Sequence, residues 1–208
     1  MLNSEPGPGF DRHALRYEAL WERDPVARVM RSAVRSSLVW RVGPGVRVLD
    51  LGCGIGTDAA WLREQGADVL AVDASPGMVA EARRRVSGLD ARVCRAEDVA
   101  RLAPLGPFDL VLMDFGVLNC VDLPSVALGL AACLRPGGVA VLVSMPRLHP
   151  TWMLRELARG RARGALRRLR AELPVDVEGE AVPVRYLGGR EVRAAFGPWF
   201  DLERRQGL

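Results

Sequence analysis

The sequence predicts an α/β fold: a doubly wound, mainly parallel sheet of six strands with helices on both faces. Short apolar segments alternate with helical patterns from Val46 onward, which is typical of consecutive βαβ units. The strand segments are apolar almost throughout, as expected for strands covered on both faces. Glycines occupy every second position of residues 52–56, directly after the first strand. A ligand crevice is therefore expected at the carboxyl ends of the strands.

Composition limits the class of protein. Hydrophobic residues make up 49% of the 208 residues, which is enough to fill one substantial core. The net charge is +4, but all 29 basic residues are Arg and the 25 acidic residues are interspersed with them, so the charge gives little reason to expect a nucleic-acid partner. The four cysteines form no CxxC pair, which argues against a metal site or a disulfide framework.

No segment suggests export or a membrane span. Residues 1–13 are acidic and contain Pro and Gly, unlike the basic and then apolar pattern of a signal peptide. No apolar run approaches the ~20 residues that cross a bilayer. We therefore expect a cytoplasmic protein without a membrane partner.

Two helices are predicted before the first strand. Residues 10–21 place apolar side chains at helical spacing, and Tyr17 is either part of that packing face or directed toward the ligand crevice. Asp24 is a good N-cap, and Pro25 suits the first position of a second helix that extends to Trp40.

The first βαβ unit starts with the strand and glycine loop VRVLDLGCGIG, residues 46–56. A helix follows from Thr57 to a stop at Gly66, and the second strand ends at Asp73. Dinucleotide-binding loops place the third glycine five residues after the first, where this chain has Thr57. Here the third glycine, Gly56, comes four residues after Gly52, which favours a different ligand.

The stretch VLDLGCGIGTD resembles motif I of class I S-adenosylmethionine-dependent methyltransferases, which have a Rossmann-like fold. The resemblance implies S-adenosylmethionine as cofactor and S-adenosylhomocysteine as product. It also implies that residues of the first strand and its loop line the cofactor site, namely Asp50, Gly52, Gly54 and Gly56. The two N-terminal helices resemble the lid of the small-molecule members, in which an aromatic residue such as Tyr17 covers the cofactor.

The later strand ends supply the other cofactor contacts that the resemblance implies. Asp73 would accept hydrogen bonds from the ribose hydroxyls, next to Ala74 and Met78. After a third strand over residues 91–94, the adenine would meet Glu97, Asp98 and Val99. After the fourth strand, FDLVLM, backbone carbonyls would bind the cofactor's ammonium group, at Asp114, Phe115 and Gly116.

The sequence beyond the fourth strand predicts a helix, a fifth strand and a cap. The helix runs from Leu123 or Pro124 to Leu134, and the turn LRPGG leads into the apolar strand VAVLVSM. Residues 151–171 have a helical pattern with one face rich in Arg, which is either solvated or a cap that favours an anionic substrate. Residues 177–187 alternate like a hairpin, and a last helix and a sixth strand, PWFDLERRQ, follow.

These elements form a single domain, residues 1–208, with four parts. Residues 1–41 carry the N-terminal helices, 46–145 the cofactor-binding core, 146–187 the cap, and 188–208 the last helix and strand. A class I sheet has seven strands, so the fifth strand is expected to lack one neighbour. A homodimer, a covered edge or a truncated chain would each account for that.

We predict metal-independent methyl transfer to a small organic acceptor by in-line displacement. The protein then mainly positions and desolvates the reactants, and a base is needed only if the acceptor must lose a proton. His149 and Tyr17 are the candidates for that base. Nucleic-acid methyltransferases have a Pro-Pro run after the fourth strand or a Pro-Cys nucleophile, and catechol-type enzymes an Asp-Asn pair; this sequence has none of them.

Three other functions stay open on the sequence alone. A nicotinamide-dependent oxidoreductase is disfavoured by the glycine spacing and by AED at residues 96–98. An aminopropyl transferase needs acidic groups for a polyamine, whereas the cap is basic. A non-catalytic module that binds S-adenosylmethionine remains compatible with the sequence, because the acceptor side carries no catalytic signature.

Overall fold

The computed structural model describes residues 24–114, 116–147, 150–161, 172–177 and 180–207. The helices are α1 (Pro25–Leu38), α2 (Thr57–Glu64), α3 (Pro76–Arg85), α4 (Leu123–Cys133), α5 (Pro150–Ala158) and α6 (Gly189–Phe196). The strands are β1 (Arg47–Leu51), β2 (Asp68–Asp73), β3 (Asp90–Val93), β4 (Phe108–Met113), β5 (Leu134–Leu142), β6 (Glu172–Val177) and β7 (Glu180–Arg185). Short 3-10 helices cover Val39–Arg41, Ala96–Leu105 and Val117–Asn119.

The helix starts follow the caps that the sequence predicts. The Asp24 carboxylate accepts from the amides of Val26 and Ala27, and Pro25 opens α1. Ser75 and Asp122 cap α3 and α4 in the same way. Helices α3 and α4 follow the carboxyl ends of β2 and β4, so their caps lie on the side of the sheet where the crevice opens.

The main sheet has the order β3-β2-β1-β4-β5, and all of its pairings are parallel. This confirms the predicted α/β class. The chain leaves β1 toward β2 on one side, and β4 pairs on the other side of β1. A reversal of this kind opens a crevice at the carboxyl ends of the two central strands. Asp50 in β1 and Asp114 after β4 therefore lie at the same edge.

Two apolar clusters cover the faces of the sheet. One packs 3-10 helix Ala96–Leu105, α4 and α6 against the sheet, with Phe108, Leu118 and Leu130 nearly fully buried. The other packs α1, α2 and α3 on the opposite face, around Leu38 and Leu62. The two-sided burial explains why the strands read as apolar almost throughout.

The described sheet has five strands, and the prediction of a sixth over PWFDLERRQ is corrected. Residues 201–207 carry no strand assignment and are exposed. The physical reason is composition: four of the six residues in DLERRQ are charged, so this stretch has no apolar face to bury. The predicted hairpin does form, as the separate antiparallel pair β6–β7, which begins at Glu172 rather than near residue 177.

The boundaries of the helices also differ from those that the sequence predicts. The helix expected over residues 151–171 starts at Pro150, and the described helix ends at Ala158, shortly before Gly160 adopts a positive φ of 71°. The N-terminal helix expected over residues 10–21 lies outside the described residues. In the part of the chain that the structure describes, no helix is long and apolar enough to cross a membrane.

Candidate cofactor site

The glycine loop is held by backbone hydrogen bonds to the second strand. The amides of Gly52 and Cys53 both donate to the carbonyl of Val72, at 2.7 and 2.9 Å. The amide of Gly54 donates to Oδ2 of Asp73 at 2.9 Å, and the Ser75 amide donates to Oδ1 at 2.9 Å. Asp73 therefore braces the loop, and because a carboxylate oxygen can accept more than one hydrogen bond, it can also accept from a ligand.

Each of the three loop glycines is needed for its own physical reason. A Cβ on Gly52 would come within 2.3 Å of the Val117 side chain, and one on Gly56 within 3.1 Å of Ala82. These two glycines thus permit close packing within the protein. Gly54, with φ of 52°, has nothing within 4 Å of its Cβ position. Only Gly54 presents bare backbone to open space, as a loop that a ligand approaches must.

A small pocket opens beside Gly54 and is strongly acidic. Four predicted site residues line it, namely Asp50, Gly52, Gly54 and Asp114. Asp50 is buried, and its Oδ2 atom has no hydrogen-bond partner among the described residues. Burial raises the pKa of the Asp50 carboxyl well above its usual value, and the neighbouring carboxylates of Asp58, Asp114 and Asp73 raise that pKa further. The site would therefore be stabilised by a cationic group.

Sequence reasoning missed the charged residues that α1 and α2 bring to this pocket. The Asp58 carboxylate lies 3.2 Å from Nε of Arg31 and 2.9 Å from Nη2 of Arg35. The Arg35 guanidinium also donates to the carbonyl of Thr57 at 3.0 Å and lies over the Trp61 ring. Arg31 lines the pocket and is the one factor that lowers the Asp50 pKa. The signals available in the sequence were an Arg pair at i, i+4 and an Asp directly after the loop.

The residues predicted to meet an adenine lie at the end of β3, away from the acidic pocket. Asp98 faces Arg101 on its own 3-10 turn at 3.3 Å, and Glu97 lies 3.5 Å from Arg95. Val99 is fully buried, and its carbonyl accepts from the Cys133 thiol. Ala74 and Met78 follow β2, with Met78 buried and its amide bonded to Ser75. Gly116 follows Asp114 at φ of 85°.

Three predicted site residues, Tyr17, Phe115 and His149, lie outside the described residues. Within the described ranges, no group of three or more His, Cys, Asp or Glu side chains could hold a metal ion. All four cysteines are free. Burial raises the pKa of the Cys53 thiol, with Asp50 and Asp73 adding to the effect, so less of the reactive thiolate forms there.

Comparison with known proteins gives a consistent family. Residues 48–138 match the family described as a methyltransferase domain. A demethylmenaquinone methyltransferase from Beutenbergia cavernae is 42% identical over 129 residues, which are 60% of this chain and 50% of that protein. The chain thus spans about half the length of the curated relatives it matches.

Solved structures share the fold over a larger part of the chain. The PH0226 protein from Pyrococcus horikoshii OT3 superposes with a TM-score of 0.63 at 19% identity, over 95% of this chain and 93% of that chain. DhpI in complex with SAH superposes with a TM-score of 0.61 at 19% identity, over 91% and 83%. At such identities the likeness concerns the fold. The match over residues 48–138 shows that this part of the chain, which contains the glycine loop, is similar to the methyltransferase domain family, and the solved structures share its Rossmann-like fold.

Proposed function

We propose that the protein transfers a methyl group from S-adenosylmethionine to a small organic acceptor without a metal ion. The observation that carries the proposal is the buried carboxyl of Asp50, whose Oδ2 atom has no hydrogen-bond partner among the described residues, beside the open backbone of Gly54. An α-amino acid ammonium is a cation that would neutralise the carboxylates gathered at the end of β1. Arg31 in the acidic pocket supplies a positive charge for the carboxylate of such a zwitterion.

The other cofactor contacts follow from the order of the strands. From the acidic pocket, the ligand would extend over Gly54 to Asp73, where two hydroxyls of a ribose can donate to the carboxylate. Asp98 and the amide of Val99 lie one strand further and would meet the base. The sulfonium of S-adenosylmethionine supplies an activated methyl group. The task of the chain is to hold that group and exclude water while the acceptor attacks in line.

We place the acceptor of this proposed reaction at the carboxyl ends of β4 and β5. The relatives' demethylmenaquinone is the first acceptor to test, because several relatives of similar sequence are demethylmenaquinone methyltransferases. Arg155 on α5 and Arg159 directly after it are exposed to solvent, so these two residues give no support for an anionic acceptor. His149 and Tyr17 remain our candidates for a base.

The proposal includes a cytoplasmic homodimer. Free cysteines suit a reducing compartment. In the described residues, β5 forms its ladder with β4 alone, and its apolar segment VAVL is only partly covered. A second copy of the chain could pair with that edge.

Calorimetric titration with S-adenosylhomocysteine tests the proposal directly. We expect binding by the wild-type protein, and a loss of about 1.5–3 kcal/mol in Asp73→Ala because charge-assisted hydrogen bonds disappear. Asp68→Ala is the matched control, since it removes an exposed carboxylate from the other end of the same strand. Binding of NADH without binding of S-adenosylhomocysteine would contradict the proposal. Transfer of a labelled methyl group to demethylmenaquinone then separates an enzyme from a module that only binds the cofactor.

A further inference from the structure

Asn119 is a fully buried polar residue with an unusual set of partners. It lies in the short 3-10 helix after β4. Its Nδ2 group donates to the carbonyl of Met145 at 3.0 Å and to the carbonyl of Arg185 at 2.5 Å, and its Oδ1 atom accepts from the Met145 amide at 2.8 Å. The side chain thus satisfies both of its hydrogen-bonding groups inside the protein.

None of these hydrogen bonds is local. Buried Asn side chains often satisfy the backbone of their own turn. The partners of Asn119 are instead 26 and 66 residues away in sequence. Asn119 therefore joins the segment after β4 to the segment after β5 and to the end of the β6–β7 hairpin.

Three further hydrogen bonds connect the same segments of the chain. The Leu187 amide donates to the Met145 carbonyl at 3.2 Å, and the Arg147 amide donates to the Leu187 carbonyl at 3.0 Å. Nη2 of Arg185 donates to the carbonyl of Val121 at 2.9 Å. We call this set of contacts among residues 119–121, 145–147 and 185–187 the hairpin junction.

The hairpin junction touches the residues that form the cofactor pocket. The Val117 side chain fills the space that a Cβ of Gly52 would need. The Met145 methyl group lies 3.3 Å from the position that a Cβ of Gly116 would take. The backbone amide of Asn119 donates to the Gly116 carbonyl at 3.0 Å. The segment that follows Asp114 is therefore packed against the glycine loop on one side and bonded to the hairpin on the other.

We propose that Asn119 is a positioning residue that holds the β6–β7 hairpin in place as one wall of the acceptor site. The inference rests on the proposed function. The hairpin junction lies at the carboxyl ends of β4 and β5, where the crevice opens, so the hairpin can only be a wall of the site if it stays attached there. The side chain of Asn119 bonds to Met145 and Arg185, and neither of these residues lines the acidic pocket. It acts through Met145 and through the backbone of Arg185.

The test compares two substitutions with a stability-matched control. Asn119→Asp keeps an acceptor for the Met145 amide but removes the donor from two carbonyls, and Asn119→Ala removes all three bonds without adding a charge. Leu62→Ala is the control, because Leu62 is fully buried in the cluster on the opposite face of the sheet. A variant that only loosens the fold should behave like this control.

The first readout is amide hydrogen exchange followed by mass spectrometry without ligand. We expect exchange in residues 180–188 to become at least tenfold faster in both Asn119 variants, while exchange in β2 changes no more than in Leu62→Ala. Equal acceleration of the hairpin in Leu62→Ala, or an unchanged hairpin in Asn119→Ala, would overturn the proposal. This measurement needs no cofactor and is independent of the proposed function.

The second readout separates positioning from general destabilisation. We expect the Kd for S-adenosylhomocysteine to stay within threefold of wild type in Asn119→Ala, and the KM for demethylmenaquinone to rise at least tenfold with a smaller change in kcat. A parallel loss of cofactor affinity would assign Asn119 to the cofactor pocket and contradict the inference. Failure of the wild-type protein itself to bind S-adenosylhomocysteine would instead refute the proposed function.

Discussion

The buried carboxyl of Asp50, whose pKa is raised, lowers the stability of the folded protein. Asp50 lies at the end of β1, surrounded by Asp58, Asp73 and Asp114, and only Arg31 opposes their effect on its pKa. A core position of this kind would be more stable with a neutral side chain. Such residues are typical of sites where a ligand supplies the missing counter-charge.

The stability of the protein is therefore expected to fall with rising pH through the titration of Asp50. Its folded pKa is above the unfolded value, so the folded state binds more protons, and the associated stability is lost as the pH rises from about 3.9 through the folded pKa. An Asn side chain resembles the neutral, protonated form of the Asp50 carboxyl and does not titrate. Asp50→Asn should raise Tm at neutral pH, by ~2–4 °C for each kcal/mol recovered, with no gain under acid conditions.

Differential scanning calorimetry at several pH values measures that effect. The same variant should bind S-adenosylhomocysteine more weakly than wild type, because the ammonium loses its anionic partner. A lower Tm at neutral pH would show that the Asp50 carboxylate stabilises the free protein, contrary to the pKa argument.

At the scale of elements, the link between α1 and the start of α2 sets the geometry of the pocket. Arg31 and Arg35 lie one turn apart on α1, and both reach the single carboxylate of Asp58. Asp58 also suits the N-terminus of α2 because it lies in the first turn. The glycine loop is thus fixed between β2 on one side and the arginines of α1 on the other.

Removing that carboxylate should destabilise the protein strongly. Asp58→Asn leaves two guanidinium groups, one of them buried, without their anionic partner, and we expect a loss of roughly 2–4 kcal/mol in the free energy of unfolding. Asp90→Asn is the control, since the Asp90–Arg92 pair is exposed and such pairs contribute at most ~1 kcal/mol. Urea titration of both variants measures the difference. Equal effects would mean that the α1–α2 ion pair contributes no more than a surface pair.

The sequence predicts well those elements whose signals are local. Strands β1, β2 and β4 are mostly apolar, and the capping residues Asp24 and Ser75 mark helix starts within a residue. The glycine spacing likewise places Gly54 at an open backbone position. Arg31 and Asp58 were not predicted because their pairing is tertiary, between a helix before the sheet and one after the loop. The incorrect sixth strand followed from counting strands toward a complete sheet instead of weighing the charges in DLERRQ.

The whole molecule leaves one edge of its sheet without a described partner strand. Strand β5 bonds to β4, and beyond it the described residues contribute a single bridge between Pro146 and Leu187. Val139, Val141 and Val143 pack against the cluster under α1 and stay partly exposed. An apolar, unpaired strand edge favours association with another chain.

We therefore expect the protein to form dimers in a concentration-dependent way. Sedimentation velocity over a hundredfold range of protein concentration should show a shift from monomer to dimer. Backbone amides of β5 should also exchange more slowly as the dimer fraction rises. A monomer at every concentration would contradict the homodimer.

The reversal of strand order between β1 and β4 also divides the parallel sheet into two halves with different roles in the proposed function. The half built from β1 to β3 contains the proposed nucleoside contacts, whereas every described bond of the hairpin junction goes to segments that follow β4 and β5. A different hairpin could therefore be grafted onto this core if it meets the few anchor points at Asn119, Val121, Met145 and Arg147. Exchange of the hairpin would then change the acceptor preference, while the nucleoside contacts of the β1–β3 half stay the same.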